Sequence, residues 1–430
     1  MTDFPTLQPD LPHDAYAALR VPDYRRYLTG NLLALLGSQM QAVAVGWELY
    51  ERTHRPLHLG LVGLVQVIPV VALALPAGQI IDWLNRRYVI MGAVLAMAGC
   101  SLALAALSWW HVGIVWIYVC LFINGVARAF LMPAKSAFLP LIVPRDRFAN
   151  AVMWSTSGFQ LASIVGPGLG GLLIAAAGAA AWVYLLDAVL ALFFLFTLIG
   201  VRARAQTSSL QPLGLRSLAA GIQFVWRTKL ILGAISLDMF AVLLGGATAL
   251  LPIYAKDILD AGPQGLGWLR AAPGVGALLM SFVLAHRRPT QRAGRNLLWS
   301  VAGFGLVTVV FGFSRSFWLA WAMLFLAGAL DMVSVIIRHT LLQLRTPDGM
   351  RGRVSAVNGM FISISNELGE FESGMVAHLF DRPHDPVFGP LVSVVSGGVG
   401  TMLVVLGIAW LFPEVRRCRR LDEGPGPEGG

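Results

Sequence analysis

Residues 182–254 read WVYLLDAVLALFFLFTLIG-VRARAQTSSLQPLGLRSLAAGIQFVWRTK-LILGAISLDMFAVLLGGATALLPIY, and the fold follows from this alternation. An apolar run of about 20 residues is what a membrane-spanning helix needs. The polar stretch between the two runs, 202–229, is the longest inside the chain and holds five basic residues. Within it Leu215, Leu218, Ile222 and Val225 share one helical face, with Arg216, Gln223 and Arg227 elsewhere, which predicts an amphipathic helix lying on the cytoplasmic interface.

Outward from this centre the same pattern continues in both directions. Apolar runs occur at 27–50, 59–81, 88–110, 113–134, 150–178 and 182–201, then at 230–254, 264–285, 296–313, 317–340, 354–378 and 389–412. The eleventh carries three glutamates and is the weakest by hydropathy. With the N-terminus taken as cytoplasmic, cytoplasmic segments hold 24 of the 32 Lys and Arg residues, external loops five and helices three. A bias of that size over strictly alternating loops supports both the helix count and the orientation. The expected chain is an all-α membrane protein of twelve transmembrane helices. Its segments are an N-terminal tail 1–26, a six-helix bundle 27–201, a linker 202–229, a second six-helix bundle 230–412 and a disordered tail 413–430, with both termini cytoplasmic.

Composition agrees. The chain is 57% hydrophobic and 13% charged, too little charge to cover a soluble protein of this length. The net charge of +9 comes from short clusters between apolar runs, a topology signal and not a nucleic-acid groove. The three cysteines, Cys100, Cys120 and Cys418, have neither metal nor redox spacing. No HExxH motif or Cys/His cluster is present, so no metal or cofactor is expected, and the first 26 residues lack the apolar core of a signal peptide.

The halves superpose with an offset of 203. Leu121-Phe122 matches Leu324-Phe325, Gly125 matches Gly328, Arg128 matches Asp331, Lys135 matches Arg338 and Pro144 matches Pro347. Leu59-Gly60 echoes Leu266-Gly267. Pseudo-symmetric six-helix bundles suit a transporter that rocks two halves about a central site.

The turn after the second run reads Gly78-Gln-Ile-Ile-Asp82-Trp83-Leu-Asn85-Arg86-Arg87. It resembles the loop signature of the major facilitator superfamily, G-x-x-x-D-R-x-G-R-R, with Trp83 and Asn85 in place of the usual Arg and Gly. Gly78 permits close helix packing, and Asp82 sits at a helix end where it accepts from backbone N–H groups and pairs with Arg. The resemblance implies a conformational latch of Gly78, Asp82, Arg86 and Arg87, with Arg353 as candidate partner. On the residues alone, Arg86 and Arg87 equally well only set topology. The fifth run holds Gly166-Pro167-Gly168-Leu169-Gly170-Gly171, similar to the antiporter element G-P-x-x-G-G. Its proline predicts a kink and its glycines a close neighbour, so an ordinary kinked helix is the other reading. Ala129 to Pro144, Met350 to Asn358, and Gly397 to Leu403 with Phe412-Pro413-Glu414 look like the branch that includes the bacterial enterobactin exporter.

Ionisable groups at bilayer depth mark pathways or partners. Here they are Arg128, Asp187, Asp238, Asp331, Arg338, Glu367 and Glu370. Arg128 and Asp331 each lie roughly 20 Å from the outer ends of their helices. In the superfamily the first, fourth, seventh and tenth helices line the cavity, which implies that Arg128 and Asp331 face each other across the pathway. An Arg128–Asp331 pair coupled to substrate or proton is expected, with Asp238 as an alternative proton site, and a permanent structural ion pair between packed helices is the other reading of each. Glu367 and Glu370 share a face and are expected to pair with arginines of a neighbouring helix, Arg270 among them; a proton relay or a cation contact is the other reading. Asn31, Gln39 and Gln41 are candidate cavity contacts. Trp47 and Tyr50 are assigned to the aromatic belt.

The leading function is proton-coupled export of a small organic molecule, siderophore or drug-like, across a bacterial inner membrane. The expected partners are the bilayer, the substrate and protons, with the protein monomeric. The alternatives are uptake or facilitated diffusion, and, from another class, a non-transporting receptor or scaffold. The three lysines follow Ala134, Thr228 and Ala255, so no Gly-Lys-Ser/Thr phosphate loop exists. No nucleophile–base pair shares a depth, so an enzyme is not expected.

Overall fold

The computed structural model describes residues 14–204, 215–286, 292–382 and 385–418. Helices α1 (Pro22–Thr53), α2 (Pro56–Trp83), α3 (Arg86–Trp109), α4 (Val115–Ile142), α5 (Phe148–Ala177) and α6 (Ala181–Ile199) form the first half. Helix α7 (Leu215–Arg227) belongs to the linker. Helices α8 (Lys229–Leu244), α9 (Gly262–Ala285), α10 (Ala293–Phe313), α11 (Phe317–Arg345), α12 (Arg351–Leu379) and α13 (Phe388–Leu411) form the second half, followed by the short α14 (Pro413–Arg417).

Among the described residues eleven stretches are long and apolar enough to cross a membrane. The twelfth crossing is α12, whose 29 residues are ample and whose hydropathy is lowered by its glutamates together with Arg351, Arg353, Asn358, Asn366 and several serines. Large apolar side chains such as Trp318, Trp410, Phe196 and Leu403 are exposed on the outer faces, as lipid contact requires. Local chemistry sets the boundaries. Pro22 opens α1 and Asp23 lies in its first turn. Asn85, where the superfamily has Gly, caps α3 by accepting from the Arg87 amide at 3.0 Å. Gly178, at φ 70°, ends α5.

Two expected boundaries change. The run at 230–254 is not one helix: α8 stops at Leu244, and the chain goes on through a 3-10 turn (Ala247–Leu250), one helical turn (Leu251–Ile253) and a π turn (Tyr254–Ile258). Gly245 and Gly246 release the backbone there, and Gly246 packs directly on the Gly369 carbonyl of α12. The tails are more ordered than expected. Asn150 and Trp154 bond the Ala15 carbonyl, and α14 buries Val415 against Gly233 and Gly294. The rest of the tails, 1–13 and 419–430, and linker residues 205–214 lie outside the described residues.

The pseudo-symmetry is carried by backbone contacts. Within the first half α4 packs on α2, where a Cβ on Gly125 would meet the Gln66 carbonyl at 2.7 Å; within the second, α11 packs on α9, with Gly328 against Pro273. Between the halves α2 crosses α12 and α5 crosses α9. Gly60 abuts Gly374 in the first crossing, and Gly171 abuts Gly267 in the second. Gly171 and Gly374 differ by the same offset of 203 that relates Gly125 to Gly328.

Both crossings lie far from the linker. The buried core divides accordingly. Away from the linker one hydrophobic cluster runs through both halves, from Leu49 and Tyr184 to Leu250, Leu266 and Leu324. Toward the linker there are two clusters, one around Tyr27, Phe138 and Phe194 in the first half and one around Ile231, Leu297 and Val357 in the second. The halves are therefore joined on the far face and parted on the linker face. Helix α7 docks on α12, with Gly221 on the Arg353 carbonyl and Val225 in the second cluster.

Candidate functional site

A cavity of about 370 Å³ is lined mainly by the first half, with Ala249, Pro252, Arg270, Glu367 and Glu370 facing it from the second. Three cations (Arg128, Lys135, Arg270) and three carboxylates (Asp187, Glu367, Glu370) line it. Arg128 projects from α4 toward α2, donates to Gln66 Oε1 at 2.8 Å and pairs with Glu367 of α12 at 3.2 Å. This pair joins the two halves. Glu370 stands one helical turn further along α12, facing Arg270 of α9, whose guanidinium also donates to the Ala42 carbonyl of α1 at 3.3 Å.

The expected Arg128–Asp331 pair does not form. Because α4 packs on α2, and α2 on α12, the Arg128 side chain reaches Glu367. Asp331 lies in the second half beside Asp238 and Arg338, and Asp238 bonds Arg338 in a fully buried ion pair between α8 and α11. None of these three lines the cavity. The acidic segment of α12 does meet an arginine of a neighbouring helix at Glu367, where that arginine is Arg128.

Gln39 and Gln41 line the cavity from α1. Gln39 donates to Ser163 of α5 at 2.8 Å, and Gln41 to Ser101 of α3 at 2.8 Å. Asn31 is buried but does not line it. Gly166 and Gly170 seat α5 on Gln39 and Met40 of α1, while Gly171 and the Pro167 carbonyl meet Gly267 of α9. The element thus binds α5 to both halves at once.

Of the loop residues, Gly78 packs on nothing: a Cβ there would have open space within 4 Å. Its expected close packing is absent because the linker-face ends of α2 and α12 stand apart. The Asp82 side chain lies outside the described residues. Arg87 donates to the Ile199 carbonyl at the end of α6 at 2.5 Å; Arg86 Nε has no hydrogen-bond partner among the described residues.

Reading the sequence missed Lys135, counted as a loop cation. Helix α4 runs through Pro133 and Pro140 to Ile142, which places Lys135 on the cavity wall over the Phe194 ring at 5.2 Å. It also missed Gln66 and Asn124, whose signal was a lone amide in an apolar run. Trp47 and Tyr50 are not belt residues; both are buried. Tyr50 bonds Asp257, Lys256 pairs with Glu51 at 3.4 Å and lies over Trp47 at 5.8 Å, and Gly46 meets Pro252. These contacts seal the far face between the halves. Replacing Tyr50 with Phe removes one of them, worth about 1 kcal/mol, or roughly a fivefold shift toward opening. Labelling of a cysteine placed at Ala249 by a thiol reagent added from the far face is expected to speed up accordingly.

The sequence profile of a family described as transmembrane secretion effectors matches residues 13–384. The chain belongs to that family, a branch of the major facilitator superfamily. This transporter is 25% identical over 404 residues to the enterobactin exporter EntS of Escherichia coli O1:K1, covering 93% of the chain and 94% of that protein. The same figures hold for EntS of Escherichia fergusonii. Among solved structures, a bacterial homologue of the human lysosomal transporter Spinster, inward-facing and unoccupied, superposes with a TM-score of 0.74 at 14% identity, over 95% of this chain and 99% of that one. The nucleoside transporter NupG superposes at 0.65 and 14% identity, over 91% and 99%. These likenesses show the fold.

Proposed function

We propose that this transporter exports a small organic molecule of siderophore or drug-like class in exchange for protons. The observation that carries the reading is the Arg128–Glu367 pair, which bridges the halves on the cavity wall. Rocking of the halves about a central site must stretch or break such a bridge. A carboxylate left unpaired in a low-dielectric cavity takes up a proton, and an arginine left unpaired there seeks an acceptor on the substrate. Proton and substrate then take turns at one pair, with Glu370 and Arg270 beside it as a second carboxylate–cation set.

The family's description as secretion effectors and the exporter relatives support the direction. The bias of Lys and Arg supports a cytoplasmic linker face in a bacterial inner membrane, so the open cavity faces the side on which an exporter loads. Its lining mixes Arg270, Gln66 and Asn124 with Phe159, Phe194 and Met132, which suits a molecule with both polar and apolar parts. Asp82 and Arg353 belong in this reading to a latch of the opposite conformation, where the linker-face ends of α2 and α12 meet and the space beside Gly78 closes.

Proteoliposomes containing the purified transporter and a trapped pH-sensitive dye test this against a panel of siderophores and drug-like compounds. One class is expected to trigger proton movement that Glu367→Gln abolishes. Labelled-substrate flux without proton movement would remove the coupling and leave a facilitator.

A further inference from the structure

A third carboxylate of the cavity wall, Asp187, forms no ion pair with a cation among the described residues. Asp187 of α6 is 6% exposed, and its Oδ1 sits against Gly37 of α1, where a Cβ would come within 2.5 Å of it. Its one side-chain partner among the described residues is Ser101 of α3, at 2.6 Å from Oδ2. Ser101 has a second acceptor in reach, the Met97 carbonyl at 3.0 Å, and it accepts from Gln41 Nε2 at 2.8 Å. Gln41 is held in turn by Asn124 of α4 at 3.5 Å.

A hydroxyl has one proton and two lone pairs. With Asp187 ionised, Ser101 donates to Oδ2. With Asp187 protonated, the acid donates to Ser101 Oγ and the Ser101 hydroxyl turns to Met97. In that second state the Ser101 oxygen accepts from Gln41 and from Asp187 and donates to Met97, so its full capacity is used. The arrangement therefore fits either protonation state after a single hydroxyl rotation. A purely structural acid would need only one.

The charged groups around it leave this choice to Asp187. On α1, Glu48 lies about 16 Å further along the helix, tied to Arg52 at 2.5 Å and to Tyr184 of α6 at 2.7 Å. On α4, Arg128 is engaged by Glu367 and Gln66. Lys135 lies over Phe194, two turns along α6. On α3 the group that faces the carboxylate is the neutral Ser101.

We propose that Asp187 is a second proton-carrying group, held in the first half and switched against Ser101, distinct from the inter-half pair. This rests on the proton coupling proposed above. On each cycle the carboxylate gains one proton from the cavity and later releases it, with no other bond made or broken.

The test has two independent readouts. Infrared difference spectroscopy of the native transporter in lipid, taken against Asp187→Asn, is expected to show a protonated-carboxyl carbonyl band that fades at alkaline pH. Ser101→Ala, which keeps the acid but removes its donor, is expected to move the pH at which the band disappears. In proteoliposomes the number of protons moved per substrate is expected to fall by one in Asp187→Asn. A spectrum with no such difference, or an unchanged proton count, overturns the assignment. If the native transporter moves no protons, the coupling reading falls and so does the carrier role of Asp187, while the infrared band still reports whether that site titrates.

Discussion

Valine at Gly171 is expected to open the far face of the transporter and cut transport at least about fivefold. A Cβ at this position would meet the Pro263 carbonyl and the Gly267 Cα, the latter at 2.9 Å. Both are backbone atoms, which cannot rotate aside as a side chain does. Overpacking of this kind costs about 1–3 kcal/mol, and a loss of that size in one conformation shifts a two-state equilibrium by about 5- to 150-fold. The same holds for Gly374 against Gly60, the equivalent crossing of α12 on α2. Spin labels at His54 and Asp260, on the far ends of the two halves, measured by double electron–electron resonance, are expected to move apart in Gly171→Val. Gly78→Val is the contrast, since a side chain there meets open space in this conformation, and it is expected not to lengthen that distance. Equal distributions in Gly171→Val and native protein would show that the crossing does not hold the closure.

Glu367→Gln and Arg128→Gln are each expected to destabilise the protein more than the two together. Removing one partner leaves the other charge uncompensated at bilayer depth, which costs about 3–5 kcal/mol when burial is complete. Arg128 is 34% exposed and Glu367 17%, so a smaller loss is expected. The coupling energy in a double-mutant cycle is expected within about 0.5–3 kcal/mol, read from unfolding in detergent. A cycle between Arg128→Gln and Asp331→Asn is expected to be additive, because the two groups belong to different networks. The reverse pattern would restore the pairing expected from the sequence.

The architecture was legible because membrane helices announce themselves locally. A run of apolar residues must become a helix in lipid, since no other open backbone satisfies its hydrogen bonds there, and the loop charges carry the topology. The repeat was visible as well, in Gly125 and Gly328 and in Gly60 and Gly267. These glycines prove to hold equivalent crossings because a backbone contact tolerates no side chain in either half. The break after Leu244 was less legible. Gly245-Gly246 marks it, but hydropathy passes through without change.

The sequence by itself determined which groups would be costly in the bilayer: Arg128, Asp187, Asp238, Asp331, Arg338, Glu367 and Glu370 are polar where their neighbours are not. Their partners were decided only by the tertiary structure. Helices at bilayer depth meet neighbours far away in sequence, and a few degrees of rotation decide which side chain an arginine reaches. Thus Arg128 meets Glu367, 239 residues away, through the packing of α4 on α2 and α2 on α12. Asp331 stays inside its own half, and Trp47 and Tyr50, aromatic near a helix end, are buried between the halves and face no lipid. Composition sets how much each residue has to gain from a partner, and the crossing of the helices sets which partner is there.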